Sequence, residues 1–184
     1  MPLRAVSLKT LLRRFRRHRR GSAAVEFALV APVFFALLFA IVEVALMFFA
    51  SQVLETVTQT SARYLLTGQA QSGGLTQAQF KTYVCSQIPG LFNCANLKIN
   101  VQSAPSFGSI SITSPIDAGC NFIGPQNYCP GNAGDPVFVQ LSYQWPVFVT
   151  RLGFNMSCGA SNARWLTATA AFQNEPFSAA SSGC

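Results

Sequence analysis

Residues 22–50 read SAAVEFALVAPVFFALLFAIVEVALMFFA, with Glu26 and Glu43 as the charged positions in the run. About 20 apolar residues span a bilayer core of about 30 Å. This run exceeds that length, so it predicts a transmembrane helix that can tilt and still project beyond the far surface. A cleaved secretory signal would need an apolar region of about 7–15 residues followed by a small-x-small site. Phe48 stands where that site would want a small residue. Pro32 cannot donate to the carbonyl of Ala28, so a bend or local loosening is expected there.

Charge fixes the direction of insertion. The net +7 is concentrated at one end: Arg4, Lys9, Arg13, Arg14, Arg16, Arg17, Arg19 and Arg20 precede the apolar run, with no acid among them. Beyond residue 21, Arg63, Lys81, Lys98, Arg151 and Arg164 are opposed by Glu26, Glu43, Glu55, Asp117, Asp135 and Glu175. The basic character therefore belongs to a tail. With no aromatic-interleaved or folded reader beside it, that tail argues for anionic lipid rather than nucleic acid. Positive charge on one flank predicts a cytoplasmic N-terminus and an exported C-terminal part.

Helical periodicity continues past the apolar run. Val53, Leu54, Val57, Ser61, Tyr64 and Leu65 recur at three- and four-residue steps, while Gln52, Glu55, Gln59 and Arg63 fall elsewhere. Gly68 suits the left-handed position just past a helix end. One helix over 23–67 would be roughly 65–70 Å long at about 1.5 Å per residue. Two helices broken near Ser51 are the alternative.

At the junction the chain reads Gly21-Ser22-Ala23-Ala24-Val25-Glu26-Phe27. A carboxylate within a membrane segment needs a partner, a purpose or proximity to the hydrated interface. Cleavage after Gly21 would give Ser22 a new α-amino group, four residues from Glu26 on the same helix face. The two charges could then pair within one chain or between staggered copies. Glu26, Pro32 and Glu43 are thus candidates for helix pairing, and Gly21, Ser22 and Glu26 for a processing site. Glu43 stands roughly 35 Å from Arg20, near the outer headgroups, where hydration of its carboxylate is expected.

Gly21 followed by Glu26 resembles the processing site of type IV prepilins. The stretch over 21–68 resembles the TadE/TadG-like family of the tight-adherence (Flp, type IVc) pilus system. The matches are Ala24-Val25-Glu26-Phe27-Ala28, Ala31-Pro32, Glu43, and Ala62-Arg63 before Gly68. Asn174-Glu175-Pro176-Phe177 is similar to the family's closing strand. A short exported domain favours the TadE-like type. The resemblance implies a prepilin peptidase that cuts after Gly21. It also implies a minor pilin-like (pseudopilin) product in the inner membrane, with other pilus or pseudopilin subunits as partners. The alternative is an uncleaved single-pass membrane protein whose periplasmic domain binds a partner or ligand.

Downstream, residues 69–76 read as a linker and Thr76 as the cap of a helix ending near Ile88. Leu97, Ile99 and Val101 alternate with Lys98, Asn100 and Gln102 as one strand. Val137, Val139, Leu141, Tyr143 and Trp145 alternate with Phe138, Gln140, Ser142 and Gln144 as a second. A third strand runs from Trp165 to about Phe172, and 105–134 reads as a long irregular loop. The expected fold is α+β: a long N-terminal transmembrane helix, then a small antiparallel-sheet domain, pilin-like and disulfide-stapled. Its divisions are a basic cytoplasmic leader (1–21), a transmembrane segment (22–50), a periplasmic continuation of the helix (51–68) and a periplasmic domain (69–184).

Cys85, Cys94, Cys120, Cys129, Cys158 and Cys184 all follow the helix, which reads as a disulfide framework in an oxidising periplasm. The connectivity is open, with Cys85–Cys94, Cys120–Cys129 and Cys158–Cys184 preferred because each closes a loop-rich segment. There is no Cys-x2-Cys spacing, and the single histidine, His18, lies in the leader. No metal or cofactor is therefore expected. An enzyme is not expected either, since the exported part lacks a His relay and a bracketed carboxylate pair.

Overall fold

Helix α1 runs without a break from Ser22 to Leu66, through Pro32 and through Ser51. The structure is a computed structural model and describes residues 21–88, 90, 92–110, 112–148, 156–159 and 162–178. The basic leader over 1–20 and Cys184 lie outside the described residues. The chain divides into two compact units, Met1–Val42 and Glu43–Cys184.

In the first unit, α1 is apolar on every side. Phe27, Leu29, Val30, Val33, Phe34, Leu37, Phe39 and Ile41 are each more than half exposed. A helix with no polar face needs an apolar environment. α1 is long and apolar enough to cross a membrane, with a mean hydropathy of 2.7 over its most apolar window.

In the second unit, the same helix becomes amphipathic. Met47, Ala50, Leu54, Val57, Ser61 and Leu65 are buried, and Gln52, Glu55, Gln59 and Arg63 are exposed, as the three- and four-residue steps require. Gly68 closes α1 in the left-handed conformation (φ 72°), its N–H donating to the Leu65 carbonyl at 2.9 Å. The expected linker over 69–76 is partly helical: α2 covers Gln69–Ser72, and Gln71 Nε2 donates to the Pro130 carbonyl at 2.9 Å. Helix α3 follows over Gln77–Gln87. Thr76 and Gln79 form a reciprocal capping box at its start, an arrangement that stabilises a helix by about 1 kcal/mol.

Strands β1 (Leu97–Ser103), β2 (Pro136–Pro146) and β3 (Ala163–Gln173) form an antiparallel sheet in the order β1-β2-β3. The register pairs Ile99 with Leu141 and Leu141 with Ala168. These alternating positions join Leu54, Val57, Leu65, Phe80 and Val84 in one core. The result is an α+β unit following a long apolar helix.

The opposite face of β2 is also buried. Phe138 is 2%, Gln140 5% and Ser142 2% exposed. β2 is the central strand, and the loop between β1 and β2 lies over this face. Phe122 stacks on Trp165 with ring centroids 5.3 Å apart, Lys98 sits over the Phe122 ring, and Asn127 N donates to Asn100 Oδ1. The same loop shields the edge of β1, through Val101 N to Asn127 O (2.8 Å) and Cys129 N to Val101 O (2.9 Å). The segment likened to a closing strand lies just past β3. Asn174 Nδ2 donates to the carbonyls of Pro130 and Asn132, and Glu175 N donates to Leu66 O.

Two disulfides are defined, Cys85–Cys94 and Cys120–Cys158. The first matches the expected pairing. The second overturns both Cys120–Cys129 and Cys158–Cys184. Pro115–Gly124 folds back on itself through Ile123 N to Pro115 O and Asp117 N to Asn121 O, leaving Cys120 at its tip in a left-handed conformation (φ 67°). Trp165 Nε1 holds that tip by donating to the Cys120 carbonyl, which sets Cys120 beside Cys158 with 5.6 Å between Cα atoms. Cys129 meanwhile bonds along β1 and is itself disulfide-bonded.

Candidate functional site

The start of α1 holds three of the residues singled out in the sequence. Gly21 immediately precedes the helix, Ser22 begins it, and Glu26 follows one turn later on the same face, exposed. A Cβ added to Gly21 would meet nothing within 4 Å among the described residues, and its φ is not in the left-handed region. The described fold gives no reason for glycine here. Pro32 is also exposed, in the middle of the apolar stretch.

Glu43 behaves differently from the hydrated carboxylate expected at the outer headgroups. It is 8% exposed, and its Oε1 accepts a hydrogen bond from the backbone N–H of Phe148, 105 residues away. A buried carboxylate needs such donors. This contact fixes the end of β2 against α1. Phe148 itself is 80% exposed. It escaped the sequence reading, although the apolar Val147-Phe148-Val149 following a strand was a visible signal. Nearby, Met47, Phe48 and Ser51 of α1 face Met156 and residues Arg164–Thr167 across an open groove of about 290 Å³.

Elsewhere, no cluster of three or more His, Cys, Asp or Glu side chains converges among the described residues. Burial, then the neighbouring Lys98, lowers the pKa of Lys81. Burial, then Tyr64, raises that of Tyr83, whose ring stacks on Tyr64 at 4.2 Å. Tyr128 is pushed up to about 12 by burial first and Tyr64 second. Hydrogen bonds from the backbone and side chain of Asn121 hold Asp117 below the usual carboxylate range. Asp117 thus acts as a turn residue.

These features define a class: among the described residues, one helix able to cross a membrane, followed by a small disulfide-bonded α+β unit. Residues 21–63 match the family model described as TadE-like protein, so that segment is similar to that family. The matched stretch starts at Gly21 and includes Glu26, Pro32 and Glu43. No curated protein and no solved structure matches.

Proposed function

We propose that this chain is a minor pilin-like component in the assembly of a tight-adherence type pilus and is not a catalyst. It sits in the bacterial inner membrane by a single pass, with its N-terminus in the cytoplasm and its α+β unit in the periplasm. A prepilin peptidase cuts after Gly21, and the mature helix then packs against other pilus or pseudopilin subunits. The observation that carries this reading is the pairing of a glycine the described fold does not require with Glu26, four residues past the new amine. The TadE-like match over the same residues supports it. So do the disulfides of the second unit, which suit an oxidising compartment.

Gly21→Val should block processing and leave the leader attached, while Glu26→Gln should still be cleaved and inserted but fail in assembly. The mass of the mature chain reports the first effect and the yield of sheared pili the second. A mature wild-type chain that retains residues 1–21 would favour the uncleaved single-pass protein with a partner-binding domain. Wild-type pilus yield from Glu26→Gln would remove the charge-pairing role.

A further inference from the structure

The second unit presents aromatic side chains to the outside around the point where α1 enters it. Ser22 to Val42 is 21 residues, which at about 1.5 Å each gives roughly 30 Å, the thickness of a bilayer core. Glu43 comes next and ties the backbone of Phe148 to the helix. The end of β2 is therefore fixed at the helix residue where one bilayer thickness has been used up. Phe148 is 80% exposed there, and Phe48 and Phe49, five and six residues further along α1, are 66% and 51% exposed. The groove beside Phe48 carries the cation Arg164.

Large exposed phenylalanines accompanied by an Arg make a poor aqueous surface. They do suit the boundary of a bilayer, where aromatic rings lie among the headgroups and a guanidinium reaches phosphate. We propose that Phe148, Phe48, Phe49 and Arg164 form a membrane-seating surface that rests on the outer-face phospholipid headgroups. This rests on the reading of α1 as a membrane span. It assigns a function to Phe148, just past β2, and Arg164, at the start of β3: to hold the exported unit down on the lipid, where it would meet neighbouring subunits.

The test uses the full chain reconstituted into vesicles of phosphatidylethanolamine and phosphatidylglycerol. Photoreactive benzoylphenylalanine replaces Phe148, Phe34 in the apolar helix, or Phe107, which is 53% exposed on the β1–β2 loop. Lipid adducts are expected at positions 34 and 148 and not at 107. Adducts at 34 with none at 148, or a 148 crosslink to a second copy of the chain, would overturn the seating surface. Failure at 34 as well would defeat the membrane reading itself. Arg164→Gln should lower the adduct yield at 148 by about fivefold, the weight of one cation near an anionic surface. An unchanged yield would overturn the role given to Arg164.

Discussion

Glu43 accepts from the N–H of Phe148, so the value of this residue lies first in its acceptor oxygen. Glu43→Ala leaves that N–H without its partner, at a cost of about 1–3 kcal/mol, reduced to the extent that water reaches the exposed Phe148. Glu43→Gln keeps an acceptor and should lose less. Thermal melting of the purified protein in detergent ranks the two, and equal losses would mean that charge matters more than the acceptor. Tyr128 offers a test of the opposite kind. Its hydroxyl is buried with no hydrogen-bond partner among the described residues, and its ring packs 5.3 Å from Phe80. Its pKa of about 12 lies above the unfolded value of about 10. The stabilisation linked to the neutral phenol is therefore complete below about pH 10 and lost as pH rises through about 12. Tyr128→Phe should remove that alkaline loss and raise stability near neutrality by up to about 1 kcal/mol. Absorbance of phenolate at 295 nm and melting at both pH values would check it.

At the level of elements, α1 is held at its end by a glycine whose replacement is costly. Gly68 has φ 72°, and an added Cβ would lie 2.4 Å from Cγ of Phe177. Gly68→Ala should cost about 1–2 kcal/mol for the left-handed backbone alone, plus the displacement of Phe177. Adding Phe177→Ala removes the ring contacts at 2.4 and 2.5 Å and leaves the Cβ contact at 2.9 Å with the backbone term, so the two losses should not add in denaturant melts. Gly68 was legible because a helix-terminating glycine after a periodic stripe is a local signal, as were the stripe from Leu54 to Leu65, the Thr76 cap and the alternation in β1 and β2. What sequence did not disclose depends on distant partners. Gln140 and Ser142 look like solvent-facing residues until the β1–β2 loop covers them. Helix α2 is four residues long, too short for any periodicity to show. At the candidate site, Gly21 and Glu26 were readable as a spaced pair, whereas the bond of Glu43 to Phe148 joins residues that no local pattern connects.

For the whole molecule, the disulfides decide how the long β1–β2 loop is tied to the sheet. Closure of a loop-rich segment favoured Cys120–Cys129, but the Pro115–Gly124 turn and the Trp165 indole bring Cys120 to Cys158, just before β3. Cys85–Cys94 and Cys120–Cys158 use four of the six cysteines, and Cys129 is also bonded, so by count Cys184 is its expected partner. Peptide mapping without reductant should recover all three pairs, and a Cys120–Cys129 peptide would refute the arrangement of the loop. The two defined bridges should also differ in weight. Their sequence separations are 9 and 38, and on the loop-closure argument the longer restrains the unfolded chain more, by about 1.3 kcal/mol. Replacing Cys120 and Cys158 together by Ser should therefore lower stability more than replacing Cys85 and Cys94. The first pair also frees the loop from β3, so Phe122 and Trp165 should become more accessible, visible as a red shift in Trp165 fluorescence once Trp145 is replaced by Phe. If the Cys85 and Cys94 pair proves the more damaging, the bridge beside α3 supports the core more than chain entropy allows, and the β1–β2 loop is held in place chiefly by its hydrogen bonds to β1.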